Sequence, residues 1–494
     1  MKKHLLVSLS AGFQDARVGE SLGIRYIEAY LSENRYEVDI IENQFQNLND
    51  SELAEIIGKY DVIGFSINYC GQVMGLKKLL SHIDATNRIV YLGGHFASIC
   101  YESLLRDFAE ISFVILADGE LATLELVKNN FHFVNTPNIA FLNKDKIVVC
   151  NRIFIVDDLD SLPFPYRNKH SYFMGDNHFS IITSRGCYHN CSYCSVSSFT
   201  KTYFHNKLRL RSAQNIYNEI KYLHTNWGVQ YITFQDDLFI GTDKKSIDRA
   251  KLLASLLIDD NDVNIFFSIQ CSVKAIDFDV FSLLHKAGLR NVMIGIENFS
   301  AHAQICFNKQ QSIEIVENAL SVLNVIGIPI SYGFIMYYPE MISGEILDNL
   351  EILYRLNLLN IRAITSMLQI YIGTDYSKRE LDAYVSLERD NYSIKYQFRD
   401  PALCDFISEC RLFKKTYGYI ENQIYHLAFL SHSNPQVSIV AVEVLHARFR
   451  SYLYNSVKAK YSQIFLNDFS LDIDNLDQQM DSLYSDIVYL GSLS

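Results

Sequence analysis

Along the first quarter of the chain, short apolar runs bounded by small and polar residues alternate with stretches of helical apolar spacing. Leu5-Leu6-Val7-Ser8-Leu9, Tyr36 to Ile41, Asp61 to Ile67, Arg88 to Leu92 and Phe113 to Leu116 read as strands. Leu22 to Leu31, Ser51 to Tyr60 and Leu76 to Ile83 read as helices, with Ser51 as the expected N-cap of an acidic first turn. Strands alternating with helices predict a doubly wound, Rossmann-like parallel sheet over residues 1–130. Ligands of such sheets lie beyond the C-terminal strand ends. Those ends carry Ser66-Ile67-Asn68, Gly93-Gly94-His95 and Asp118-Gly119-Glu120, small and polar as a closely approaching ligand requires.

Residues 131–175 read as a connector, with a small hairpin at Ile139–Leu142 and Ile147–Val149. The alternation then resumes. Strands are expected at Phe179 to Thr183, Tyr231 to Asp237, Asn264 to Gln270, Asn291 to Glu297, Ile330 to Met336 and near Ile364 to Ile372, with helices between them. Six such units predict a partial (β/α)6 barrel over residues 176–380, whose active site belongs at the C-terminal strand ends. Asp236, Asp237, Gln270 and Glu297 fall there. Residues 381–494 read as mostly helical and rich in aromatics, among them Tyr417, Tyr419, Tyr425, Phe449, Tyr452 and Tyr454. These read as packing the helices onto the barrel's outer face.

Candidate chemistry concentrates after the first barrel strand, in Cys187-Tyr188-His189-Asn190-Cys191-Ser192-Tyr193-Cys194. Three thiols at this spacing wrap one loop around a metal centre. Iron–sulfur clusters normally take four thiolates, so a loop offering three leaves one iron open for chemistry. Zinc is the weaker alternative, because His189 lies between the cysteines where a fourth ligand would strain the loop.

The loop resembles the CxxxCxxC motif of radical S-adenosylmethionine (SAM) enzymes. Further matches are Leu162-Pro163-Phe164-Pro165, Arg211-Ser212, Phe234-x-Asp236-Asp237-x-Phe239, Gly295-Ile296-Glu297 and Asn308-Lys309. Gly64-Phe65-Ser66, Gly93-Gly94-His95 and Asp118-Gly119-Glu120 resemble the cobalamin-binding domain that precedes many radical SAM domains. The resemblance implies a 4Fe-4S cluster on Cys187, Cys191 and Cys194. It implies SAM contacts from Tyr193, Ser212, Gln270 and Glu297, and cobalamin contacts from Ser66, Gly93, Gly94, His95, Gly119 and Glu120. The same resemblance implies that residues 381–494 cover the barrel mouth, the alternative to packing on its outer face. The Asp-x-His-x-x-Gly motif of other cobalamin proteins is absent, so no cobalt-ligating histidine is predicted. His95 reads equally as a polar residue packing under its loop, Glu297 as half of a barrel-closing ion pair, and Asp236 and Asp237 as helix caps or as contacts to SAM or substrate. Asp236, Asp237 and Cys271 are the catalytic candidates, although a lone cysteine such as Cys271 is more often a core thiol. Tyr337 stands where the family usually has glycine, which bears on the SAM contacts and the width of the substrate cavity.

The implied activity is cobalamin-dependent C-methylation of a small metabolite or peptide in natural-product biosynthesis, with a flavodoxin or ferredoxin as electron donor. A radical ring closure, rearrangement or oxidation is the alternative, and a scaffold with a degenerate site is a third reading. A net charge of −12 offers no basic excess for nucleic acid. No run approaches the ~20 apolar residues of a membrane span. Seven further cysteines are scattered rather than framed for disulfides, which points to a reducing cytoplasm.

Overall fold

The computed structural model describes residues 2–10, 19–150, 153–168, 178–379, 388–390, 392–430, 438–466 and 473–491. Its first sheet runs in the order Asp39–Glu42, His4–Ser8, Val62–Ser66, Ile89–Gly93, Ile111–Ile115, Ile139–Asn143, Lys146–Val149. The first five strands are parallel and the last two form an antiparallel hairpin. Alternation sends Leu5, Val7, Ile63, Phe65, Val90 and Leu92 to one face, against Leu53, Leu76 and Leu104 of three helices. Leu6, Val62, Tyr91, Phe113 and Ile115 go to the other, against Ile24 and Leu126 of the Leu22–Glu33 and Glu120–Lys128 helices. Both faces are covered, which is why the strands read as unbroken apolar runs. The hairpin predicted within the connector forms, but it continues this sheet, so the sheet passes residue 130. The boundaries expected at 175/176 and 380/381 fall at 169–177 and 380–387, outside the described residues. The helix expected to be capped by Ser51 is capped two residues earlier, by Asn49. Asn49 accepts from the Ser51 and Glu52 N–H groups, and Glu52 accepts from the Asn49 N–H in a reciprocal capping box.

A second sheet of five parallel strands runs Ile330–Phe334, Leu289–Glu297, Phe266–Cys271, Tyr231–Phe234, His178–Ile181, with helices packed along it. Phe179, Ile232, Phe267, Ile269, Val292 and Ile294 are buried in its core with Leu223, Leu253 and Phe281 of the helices. The sixth strand is reduced to a single bridge between Tyr337 and Met367. Asn360 caps a short helix, Ile361–Thr365, where strand was expected. Ile370–Tyr371 pairs instead with Ser393–Lys395 in a three-stranded antiparallel sheet. Tyr337, in that bridge, is fully buried: its hydroxyl donates to the Ile364 carbonyl at 2.9 Å, and its ring and that of Phe398 meet edge to face.

Helices Ala402–Leu430, Ile439–Leu466 and Ile473–Gly491 pack outside the barrel. Tyr454 stacks on Tyr354 of the Gly344–Arg355 helix, Tyr452 and Phe449 are buried, and Tyr419 and Tyr425 are exposed, the outer-face packing offered as one alternative for these aromatics. Among the described residues no helix is long and apolar enough to cross a membrane.

Candidate active site

The first barrel strand, His178–Ile181, is followed by a separate short strand, Ser184–Arg185, which pairs with Arg209–Leu210 in a two-stranded antiparallel sheet. Gly186 then turns the chain at φ +89°, where a Cβ would press on the Lys207 carbonyl at 2.9 Å. Cys187, Cys191 and Cys194 follow as partly exposed free thiols, and Cys194 is the N-cap residue of the Ser195–Phe204 helix. Ser192 clamps the loop from below. Its N–H donates to the Phe307 carbonyl at 3.0 Å, its hydroxyl donates to the Cys306 carbonyl at 2.7 Å, and its carbonyl accepts from the Tyr376 N–H at 2.7 Å. Burial raises all three thiol pKa values, that of Cys187 to about 11 and that of Cys194 to about 12. Metal binding is what reverses such a shift, because a coordinating cation stabilises the thiolate. Among the described residues no three His, Cys, Asp or Glu side chains gather closely enough to chelate a single ion. A cluster has a different requirement, since its thiolates are spread over separate irons.

Glu297 closes its strand with φ +66°, at a register shift between Gly295 and Glu297. That left-handed kink folds its carboxylate back over the barrel mouth. Room exists because two neighbours lack side chains: a Cβ on Gly295 would lie 2.4 Å from Oε1, and one on Gly333 would lie 3.4 Å from Oε2. Lys309 meets Oε1 at 3.4 Å, so the ion pair considered from sequence is present. Burial disfavours the Lys309 charge, but Glu297, Cys191 and Cys194 more than offset it and raise its pKa. Tyr193 lies close enough to Glu297 to feel its charge, its ring packs edge-on against Phe307 at 5.2 Å, and burial is the main cause that raises its pKa. Tyr193, Glu297 and Lys309 thus form one polar patch beside the cysteines. Gly295→Ala is expected to displace the Glu297 carboxylate and, on the Glu297–SAM contact that the resemblance implies, to weaken SAM binding by about tenfold or more, measurable by equilibrium dialysis of the cluster-loaded protein, with folding intact.

The adjacent acids divide. Asp236 is buried and saturated: it accepts from the Thr183 N–H at 2.6 Å, the Ser184 N–H at 2.9 Å and the Thr183 hydroxyl, with Arg249 nearby. It ties two strand ends together. Asp237 accepts from the Gly186 N–H at 3.2 Å, and burial raises its pKa to about 6. Its charge acts on Cys187 and on Tyr69 of the first domain, so it lies near the interface between the domains. Gln369 bridges that interface, donating to the Cys70 thiol at 3.3 Å and accepting from the Tyr371 hydroxyl at 2.7 Å. Gln270 is exposed on its strand, and alternation turns its neighbour Cys271 into the apolar core, where burial alone raises the thiol pKa to about 12. Cys271 is therefore a core thiol, which corrects its catalytic candidacy.

At the first sheet, Asn68 donates to the Ser66 hydroxyl at 3.1 Å and accepts from the His95 N–H at 3.0 Å. Gly94 holds φ +101°, and a Cβ there would strike Asn68 and the Ile67 carbonyl. The His95 ring lies 4.4 Å from Phe199, just beyond the cysteine loop; burial lowers its pKa to about 4, and its Nε2 is buried without a partner. Two of the residues expected to contact cofactors also have partners within the protein. Glu120 pairs with Arg185 at 2.6 Å across the domain boundary, and Ser212 caps the Ala213–Trp227 helix by accepting from the Asn215 N–H. Gly119 precedes Glu120 as an N-cap residue, where a Cβ would lie 2.9 Å from Ile27. Lys309, Arg185 and the Cys70–Gln369–Tyr371 group were missed as site residues; only Lys309 carried a signal, in Asn308-Lys309.

Residues 181–353 match the radical SAM superfamily, and residues 15–127 match the B12 binding domain. The chain is a radical SAM enzyme with a B12-binding domain. It is 25% identical over 422 residues to an uncharacterized methyltransferase of Pyrococcus horikoshii, covering 81% of this chain and 87% of that one. It is 24% identical over 289 residues, 56% of each chain, to an anaerobic magnesium-protoporphyrin IX monomethyl ester cyclase of Synechocystis. The solved structure of the cobalamin-dependent SAM radical enzyme OxsB, with aqua-cobalamin and SAM bound, superposes with a TM-score of 0.77 at 16% identity, over 99% of this chain and 80% of that one, a likeness that establishes the fold.

The two domains call for a 4Fe-4S cluster, SAM and cobalamin. The residues present fit these groups. Three free thiols share one loop. The Gly295 and Gly333 cradle turns a carboxylate toward them, and the orphaned His95 Nε2 beside Gly94 offers a buried acceptor to a ligand's amide.

Proposed function

We propose that this radical SAM enzyme methylates an unactivated carbon of a small metabolite or peptide in natural-product biosynthesis, with cobalamin as methyl carrier. The observation that supports it is that the cysteine loop meets the strand-end face of the first domain on both its flanks, Arg185 before Cys187 and the Ser195–Phe204 helix after Cys194. When bound, the three cofactors supply a substrate hydrogen-abstracting radical and a transferable methyl group. The chain's part is placement. Cys187, Cys191 and Cys194 hold the cluster and leave one iron open. Glu297, positioned by Lys309 and Tyr193, accepts from SAM hydroxyls, as a carboxylate suits. Ser66, Gly93, Gly94 and His95 receive cobalamin. Asp237, Tyr69, Gln369 and Tyr371 border the domain interface, where substrate reaches the cluster, and a flavodoxin or ferredoxin delivers the electron.

Anaerobic reconstitution with iron, sulfide, SAM and hydroxocobalamin tests this reading. Corrin absorbance retained through gel filtration, 5′-deoxyadenosine, and a product heavier by one methyl are expected; absence of corrin absorbance ends the cobalamin part. Likeness to the magnesium-protoporphyrin ester cyclase favours a second reading, a radical ring closure or oxidation on the same architecture. Product mass separates the two, because neither of those reactions adds a methyl.

A further inference from the structure

The strand and loop that carry the cysteines are bolted to the first domain at three points. Before the loop, the buried Glu20 carboxylate accepts from the Ser180 N–H at 2.8 Å, and Arg167, paired with Glu20 at 2.5 Å, donates to the Ser180 carbonyl at 2.7 Å. Immediately before Cys187, Arg185 spans Asp118 at 3.2 Å and Glu120 at 2.6 Å, and lies over the Tyr26 ring. Asp118 is in turn held by Arg209, the strand partner of Arg185, at 2.5 Å. After Cys194, His95 packs on Phe199, and the Tyr203 hydroxyl donates to the Ser98 carbonyl at 2.7 Å.

Asp118 and Glu120 stand at the C-terminal end of the Ile111–Ile115 strand, and His95 follows the Ile89–Gly93 strand. These are the ends where a ligand of the first sheet lies. A shift of these ends on ligand binding therefore moves both flanks of the cysteine loop, because buried ion pairs and packed rings do not stretch freely. We propose that Arg185 is a positioning residue that makes the seating of the cysteine loop depend on occupancy of the first domain, so that the two cofactor sites bind cooperatively. Coupling of this kind is reciprocal: whatever SAM at the cluster does to cobalamin affinity, cobalamin does to SAM affinity. The inference rests on the proposed placement of cobalamin.

The test is the cobalamin Kd, read from corrin absorbance after equilibrium dialysis of the full chain, for the cluster-loaded enzyme with and without SAM. Wild type is expected to bind cobalamin at least about fivefold tighter with SAM present. Glu120→Gln removes one charge facing Arg185 and keeps its size, and is expected to bring the ratio below about twofold at unchanged iron content. Arg185→Lys keeps the charge but cannot span both Asp118 and Glu120, and is expected to lower the ratio too, which keeps the test decisive if Glu120→Gln fails to fold. A wild-type ratio near one, or full coupling in every folded variant, overturns the inference while cobalamin binding stands. Wild type that binds no cobalamin overturns the underlying placement and this coupling with it.

Discussion

Cys191→Ala is expected to yield a folded protein that produces no detectable 5′-deoxyadenosine. The three loop cysteines are partly exposed and lie outside the apolar core, and the loop around Cys191 is held by Ser192 and Tyr376 rather than by the thiol. Little folding energy is therefore at stake. On the proposed ligation, however, the cluster loses one of three protein ligands. Losing an outer-shell partner of a metal ligand already costs about 10–100-fold in affinity or activity, so losing the ligand itself costs more. Iron content and the visible absorbance of the reconstituted protein should fall together with SAM cleavage. Cys271→Ala provides the contrast. Its thiol is buried among apolar side chains, so the variant is expected to lose about 1 kcal/mol of stability or more and to keep its iron. SAM cleavage surviving in Cys191→Ala would remove the basis for assigning the cluster to this loop.

What was legible in advance, and what was not, follows from the range of each interaction. Strands and helices were visible because their periodicity is local, and the cysteine loop was visible because its three groups occupy eight residues. The sixth barrel strand failed because a local competitor, the Asn360 cap, starts a helix inside an apolar run. Ser212 matched a family position, yet the same hydroxyl is an ideal N-cap, and the cap is what the structure makes of it. The ion pair of Glu120 was not readable because its partner, Arg185, lies 65 positions away in another domain. The positive φ of Glu297 was unreadable for a related reason: nothing local favours it, and it is imposed by the register shift against the Ile330–Phe334 strand.

Long-range charge pairing of this kind also identifies the side chain on which the barrel's first strand most depends. Glu219, fully buried in the Ala213–Trp227 helix, lies 2.5 Å from Arg211 and 3.3 Å from Arg167. Both guanidiniums are buried, and both donate to carbonyls of the strand segment leading to the cysteines, Arg211 to Ile182 at 2.7 Å and Arg167 to Ser180 at 2.7 Å. Glu219→Ala leaves Arg211 without an anionic partner within ion-pair distance among the described residues, whereas Arg167 retains Glu20. Breaking a buried pair from one side costs about 3–5 kcal/mol, because the stranded charge keeps its desolvation penalty. The variant is therefore expected to lose about that much, read from urea unfolding of the apoprotein. Arg211→Ala with Glu219→Ala is expected to cost less than the two single changes added together, since the double change strands no charge. Additive losses would mean that Glu219 acts through packing alone. The first barrel strand would then owe its position to its apolar side chains rather than to the buried ion pairs that join it to the first domain.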